Sequence, residues 1–296
     1  MKKGFLLFIV VFMGCIGARV NAQSDKGLEG IIVEKYYISD EKDSKAAKDG
    51  HLPPGSVTYR IFVDMLPAYR LQAVYGVPGH ELRISTTTTF FNNEEFGAAV
   101  PQEISSKKLA NGTLMLDSWL SVGAAADHHK AIMKSDDTSA AIVNIDGILL
   151  AANPSAGIPI SERDGMFPEY PLSVVTFFGM DSLARSVFGN TNTKEKGQVF
   201  STDNASWASF GGAIGVHPMN KVLIAQLTTD GELSFKLNLQ LGTPDGRVEN
   251  YVAENPVDKE VLFPGLIYPP QKKGNSGGAG LGKKKSAGNT VNANSR

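Results

Sequence analysis

Residues 223–241 read LIAQLTTDGELSFKLNLQL, and their reading decides the fold class. Leu233, Phe235, Leu237, Leu239 and Leu241 alternate with Ser234, Lys236, Asn238 and Gln240. That is the period of a strand with one face buried. Leu223, Ala225 and Leu227 alternate in the same way upstream, and an Asp-Gly pair lies between the two runs. A two-residue loop would set Leu233 opposite Thr228 and Phe235 opposite Gln226, apolar against polar. A three-residue loop, Thr229-Asp230-Gly231, sets Leu227 opposite Leu233 and Ala225 opposite Phe235, with Gly231 at the left-handed position such a loop needs. The pattern therefore predicts a three-residue hairpin.

The same period recurs outward from this segment. Val57, Tyr59, Ile61, Val63 and Met65 share one face, with Thr58, Arg60 and Asp64 on the other. After Pro67, Leu71, Ala73 and Tyr75 continue the alternation, and Leu82 and Ile84 lead into the strand-forming run Thr86-Thr87-Thr88-Thr89-Phe90-Phe91. Residues 39–55 are charged and end in Pro53-Pro54-Gly55, which predicts a long exposed loop. Helical spacing is scarce: residues 181–188 predict two turns behind an Asp or Ser cap. The expected fold class is all-β, one or two antiparallel β-sandwich units.

A faint internal echo bears on domain organisation. Thr89-Phe90-Phe91 precedes Ser118-Trp119, and Thr176-Phe177-Phe178 precedes Ser206-Trp207, so both tryptophans of the chain fall in one repeated pattern. A duplication would divide the chain into a first β-rich unit at 23–137 and a second at 138–268. The alternative is that both halves form one larger sandwich.

Both ends differ from this body. Lys2 and Lys3, the apolar run 4–18 and the small-residue site Val20-Asn21-Ala22 have the build of a secretory signal peptide over 1–22. The run is shorter than the roughly 20 residues of a membrane-spanning helix, so no transmembrane span is expected. The predicted address is exported: periplasm, cell surface or extracellular. Cys15, the only cysteine, follows Gly14 and is a candidate lipidation site, the mark of a surface lipoprotein. Cleavage after Ala22 leaves no cysteine, and with it no disulfide and no thiolate chemistry. Residues 269–296 are rich in Gly, Ser, Asn and Lys and read as a disordered basic tail. The two ends together carry nine basic residues and no acid, while the whole chain has 29 basic and 30 acidic residues. The body is thus about ten charges negative. A basic tail on an acidic body can contact an anionic surface, and no nucleic-acid partner is expected.

The sequence shows no catalytic set. Gly274-Asn275-Ser276-Gly277-Gly278 resembles a serine-protease nucleophile segment, and residues 277–283 resemble the start of a phosphate loop. Each lies in the Gly/Ser/Lys tract with no following strand or helix to support it, so both are refused. His51, His80, His128, His129 and His217 make no i, i+2 or i, i+4 pair, and Asp40-Glu41-Lys42-Asp43 lacks the order of a calcium loop. No metal, cofactor or catalytic residue is assigned. Trp119 and Trp207 are the candidate ligand-binding residues, since flat rings stack on sugar faces; flanking Val122 and Phe210 favour a core role for them instead. The leading expectation is a non-enzymatic binding or structural module for a glycan or an envelope protein. The alternative is a secreted hydrolase whose carboxylates meet only in the fold, across a cleft holding two acids.

Overall fold

The computed structural model describes residues 26–47, 50–109, 111–136, 165–189 and 197–270. Cys15, the signal segment 1–22, the boundary at 137/138 and the motifs of the tail lie outside the described residues. The chain opens with β1 (Leu28–Ile38), α1 (Glu41–Ala46), β2 (Val57–Met65), β3 (Arg70–Gly76) and β4 (Leu82–Thr86). Short strands follow: β5 (Trp119–Leu120), β6 (Ala124–Ala126), β7 (His129–Ala131), β8 (Met166–Pro168) and β9 (Thr176–Phe178). Next come α2 (Asp181–Phe188), β10 (Val199–Thr202), β11 (Ala205–Ala213) and β12 (Lys221–Thr229). Last are β13 (Leu233–Lys236), β14 (Leu239–Gly242), β15 (Val248–Val252), β16 (Val261–Leu262) and β17 (Ile267–Tyr268).

The fold is nearly all β. Its sheets run β1-β2-β12-β5, β10-β4-β13-β17, β16-β15-β14-β3-β11-β9 and β6-β7-β8. All pairings are antiparallel except β15 with β16. Every sheet contains strands from both sides of residue 137. The two Ser-Trp segments take different places: Trp119 pairs with Gln226 in the first sheet, and Trp207 pairs with Val74 and Phe177 in the six-stranded one.

Two cores flank the first sheet. Ile61, Val63 and Leu227 face one that also holds Leu71, Val74, Ile84, Trp207, Phe235 and Leu241. Phe62 and Leu223 face the other, with Tyr36, Leu114, Trp119 and Met166. The predicted solvent face of β2 is therefore interior. Thr58 and Arg60 are fully buried and find partners along the ladder to β12, although Arg60 Nη2 has none among the described residues. Thr58 meets Thr228 hydroxyl to hydroxyl at 2.7 Å, and Arg60 Nε donates to Gln226 Oε1 at 2.9 Å. The guanidinium lies 3.6 Å over the Tyr36 ring. Polar residues can alternate on a buried face when each meets a partner on the neighbouring strand.

The hairpin at 229–231 does not form. β12 pairs with β2 and β5, whereas β13 pairs with β4 and β17, so the turn carries the chain from one sheet to another. Gly231 is not in a left-handed conformation. It is required by proximity: a Cβ there would lie 2.5 Å from Thr86 Oγ1 and 2.5 Å from Thr88 Oγ1. The alternating run 233–241 is likewise split, changing sheets at Leu237-Asn238. Asn238 makes that corner, its Nδ2 donating to the Tyr75 and His80 carbonyls at 3.1 Å each. All five apolar residues of the run are buried.

Other expectations shift locally. In β3 the pairings Leu239↔Val74, Gln240↔Ala73 and Leu241↔Leu71 skip Gln72, a bulge that reverses the alternation. Leu71 and Val74 point into the core, and Ala73 and Tyr75 do not. The strand at 82 ends at Thr86, and Phe90 and Phe91 leave it to enter different cores. The predicted loop 39–55 contains α1, closed by a capping box between Asp40 and Asp43. β1, the longest of the described strands, is part-buried along most of its length and shows no clean period for alternation to reveal. The helix at 181–188 is present; its N-cap is Met180, without a side-chain cap.

Candidate functional site

The bulge at Gln72 turns the side chains of Ala73 and Tyr75 to the outer face of the six-stranded sheet, where a groove of about 700 Å³ opens. Its floor is low because β3 supplies Ala73 and Gly76 at the centre. Ladder register puts Asn250, Gln240 and Ala73 in one row across β15, β14 and β3. Tyr75, Ser206 and Phe178 make a parallel row across β3, β11 and β9. Asn204 and Glu260 complete the polar lining.

These groups are held in place. Gln240 Nε2 donates to Asn250 Oδ1 at 3.1 Å. That bond fixes one end of each amide and leaves Gln240 Oε1 as an acceptor and Asn250 Nδ2 as a donor in the groove lining. Glu260 Oε2 accepts from the Val257 backbone N–H at 2.9 Å and meets His80 Nε2 at 2.9 Å. Among the described residues Oε1 of Glu260 has no hydrogen-bond partner. Burial first, and the Glu260 carboxylate second, push the Tyr75 phenol up to about 12. Tyr75 thus stays a neutral hydroxyl, both donor and acceptor, at physiological pH.

At the β9 edge the lining becomes aromatic. Phe178 is half-exposed, and its ring meets Phe210 edge to face with centroids 5.9 Å apart. Phe210 is 82% exposed. It rides on residues 209–212, which oppose the single residue Gln72 and leave the ladder of β11 between Ala208 and Ala213. Gly211 and Gly212, at φ 80° and 72°, make that excursion feasible.

Sequence-predicted residues lie elsewhere. Trp119 and Trp207 are 1% and 0% exposed, each inside one of the two cores, so neither ring presents a face to a ligand. Trp207 Nε1 donates to the Ser121 carbonyl at 3.0 Å. Phe210, which the sequence ranked with the core, is the exposed aromatic of that segment. His80 and His129 are buried rather than solvated, and among the described residues no group of three His, Cys, Asp or Glu can hold a metal. Asp40 and Asp43 cap α1, and Asp43 also accepts from the Tyr37 hydroxyl at 2.8 Å.

A second, smaller cleft of about 330 Å³ is lined by Glu95, Glu103, Lys108 and Arg185. It contains two acids, but Glu103 is engaged by Arg185 through two bonds of 3.1 and 3.2 Å, and this pairing raises the Arg185 pKa. The carboxylates that burial displaces upward, Asp117, Glu34 and Asp43, line neither cleft. Asp117 accepts from the Asn93 and Ala98 backbone N–H groups at 2.8 and 2.9 Å, a bracket for the loop before β5.

The groove residues were missed because their faces are set by a bulge and a sheet change, which alternation does not reveal. Gln240 stands on the polar face of its alternation beside Ser234, Lys236 and Asn238, and nothing local sets it apart from them. Compared with protein-family models, with curated proteins and with solved structures, the chain matches none.

Proposed function

We propose that the protein is a non-enzymatic binding module of the cell envelope or extracellular space, holding a polyhydroxylated, glycan-type ligand on the outer face of its six-stranded sheet. The observation that carries this is the Gln240–Asn250 amide pair beside the Tyr75 and Ser206 hydroxyls, set over the small Ala73 floor. An amide offers a donor and an acceptor on one plane, which suits neighbouring sugar hydroxyls. The N-terminal signal pattern supports the export part of the reading.

The test is a glycan array probed with the full chain, beside Gln240→Ala and Asn250→Ala. Expected is binding to a neutral glycan that weakens about tenfold in either variant, the loss of roughly one good hydrogen-bonding group. Binding that both variants retain in full would move the ligand off this face.

A further inference from the structure

Resting on that reading of the groove, we infer that the ligand is an extended glycan chain, uncharged or amine-bearing, that crosses the strands and stacks on Phe178 and Phe210. Three observations on the same face lead there.

The first is length. Hydrogen-bonding groups begin at Asn250 on β15, and the two adjacent rows together reach Phe178 on β9. That crosses four inter-strand spacings of about 4.8 Å, roughly 19 Å in all. Such a trough accommodates several sugar rings in line rather than one.

The second is the aromatic end. Phe210 is 82% exposed beside a core that buries Phe200, Phe188 and Trp207. The chain leaves its ladder for four residues and uses two left-handed glycines to put that ring outside. The edge-to-face contact with Phe178 fixes its orientation at the groove end. A ring held in water by such a detour has a use for its face, and the apolar face of a pyranose is a flat partner for it.

The third is charge. Among the described lining residues Glu260 is the one carboxylate and there is no Lys, Arg or His, the His80 ring lying behind Glu260 on its Oε2 side. An acidic polysaccharide would find no counter-charge and would meet Glu260. A neutral chain meets only dipoles, and an amino sugar could pair with Oε1.

The experiment is calorimetric titration of the full chain with gluco-, manno- and chito-oligosaccharides from monosaccharide to octasaccharide. Partly deacetylated chito-oligosaccharides and oligogalacturonates accompany them, and Phe178→Ala and Phe210→Ala are run alongside. Affinity is expected to rise with chain length and then level off. Phe210→Ala should weaken the long chains about tenfold and leave the disaccharide unchanged. Its Tm should stay within about 2 °C of the parent, as befits an exposed side chain. Oligogalacturonates should fail to bind.

Binding that depends on Gln240 but neither on length nor on Phe210 would overturn the extended chain and leave the groove reading standing. Equal binding of oligogalacturonates would overturn the charge selection. No binding by any probe would remove the groove reading and this inference with it. A shift from dimer to monomer in Phe210→Ser on sedimentation would show that the aromatic pair serves a second copy of the chain instead.

Discussion

Trp207 places its indole against Phe200 and beside Val74 in the larger core and spends its N–H on the Ser121 carbonyl. Removing it leaves a cavity and an unpaired buried acceptor. Trp207→Ala is expected to cost about 3–5 kcal/mol in urea unfolding, and Trp207→Phe less, about 1–3 kcal/mol, from the lost hydrogen bond and the smaller ring together. Neither variant, while folded, should alter ligand affinity, which separates the core aromatic from Phe210. Tyr75 gives a test of the groove's electrostatics. Its phenol ionises near 12 in the fold, against about 10 in the unfolded chain. Between those values the unfolded state has already lost the proton that the fold retains. The contribution of Tyr75 to stability is therefore whole below about pH 10 and is lost as the pH rises toward 12. The difference spectrum of the parent against Tyr75→Phe should show phenolate forming near pH 12, and Glu260→Gln should lower that midpoint by the smaller part of the shift, since burial is the larger cause. At this scale the sequence named the residue types well and their surroundings poorly. The two tryptophans were singled out, but whether an aromatic at a given alternation faces core or solvent depends on bulges elsewhere.

The turn between β12 and β13 shows how an element can be read correctly and placed wrongly. Alternation identified both strands and the three connecting residues. Face matching then chose a hairpin, because within one stretch of chain the nearest partner for Leu233 is Leu227. In the fold each strand meets a more distant partner: Leu227 lies beside Tyr59, and Leu233 beside Thr86. The turn instead packs on the threonine run, with Thr229 Oγ1 at 2.7 Å from Thr86 Oγ1 and Thr88 Oγ1 donating to Asp230 at 2.6 Å. Gly231→Ala is expected to destabilise by about 1–3 kcal/mol through overpacking against those hydroxyls. Because the cause is a clash and not a left-handed backbone, most of the loss should disappear when Thr86→Ala, Thr87→Ala and Thr88→Ala are present, since all three hydroxyls would lie within 2.8 Å of that Cβ. A double-mutant cycle in urea measures that coupling directly. A penalty unchanged in that background would point to backbone strain. The same threonine run explains why the strand at 82 stops at Thr86: beyond it the side chains are committed to the turn.

In the whole molecule, β2 and β12 lie between two cores, and each sheet joins strands from before and after residue 137. Strands so interleaved gain their partners only when both parts of the chain are present. Residues 26–136 expressed alone are expected to lack a cooperative thermal transition, while the full chain melts in one; calorimetry of both constitutes the test. Two resolved transitions in the full chain would argue for independent units. What the sequence by itself determined was the strand class, the location of most strands, the two-turn helix at 181–188, and the contrast between an acidic body and basic ends. Those follow from side-chain period and charge, which are local properties. The tertiary structure alone decided which strands pair and which faces are buried. It also decided that Asn238 turns a sheet corner, and that Gln240, Asn250, Tyr75, Ser206 and Phe178 share one groove. These depend on contacts between residues as far apart as Gly27 and Glu249. Such contacts form only when burial of the whole core offsets the entropy of closing those long loops, and no short window of sequence carries that balance.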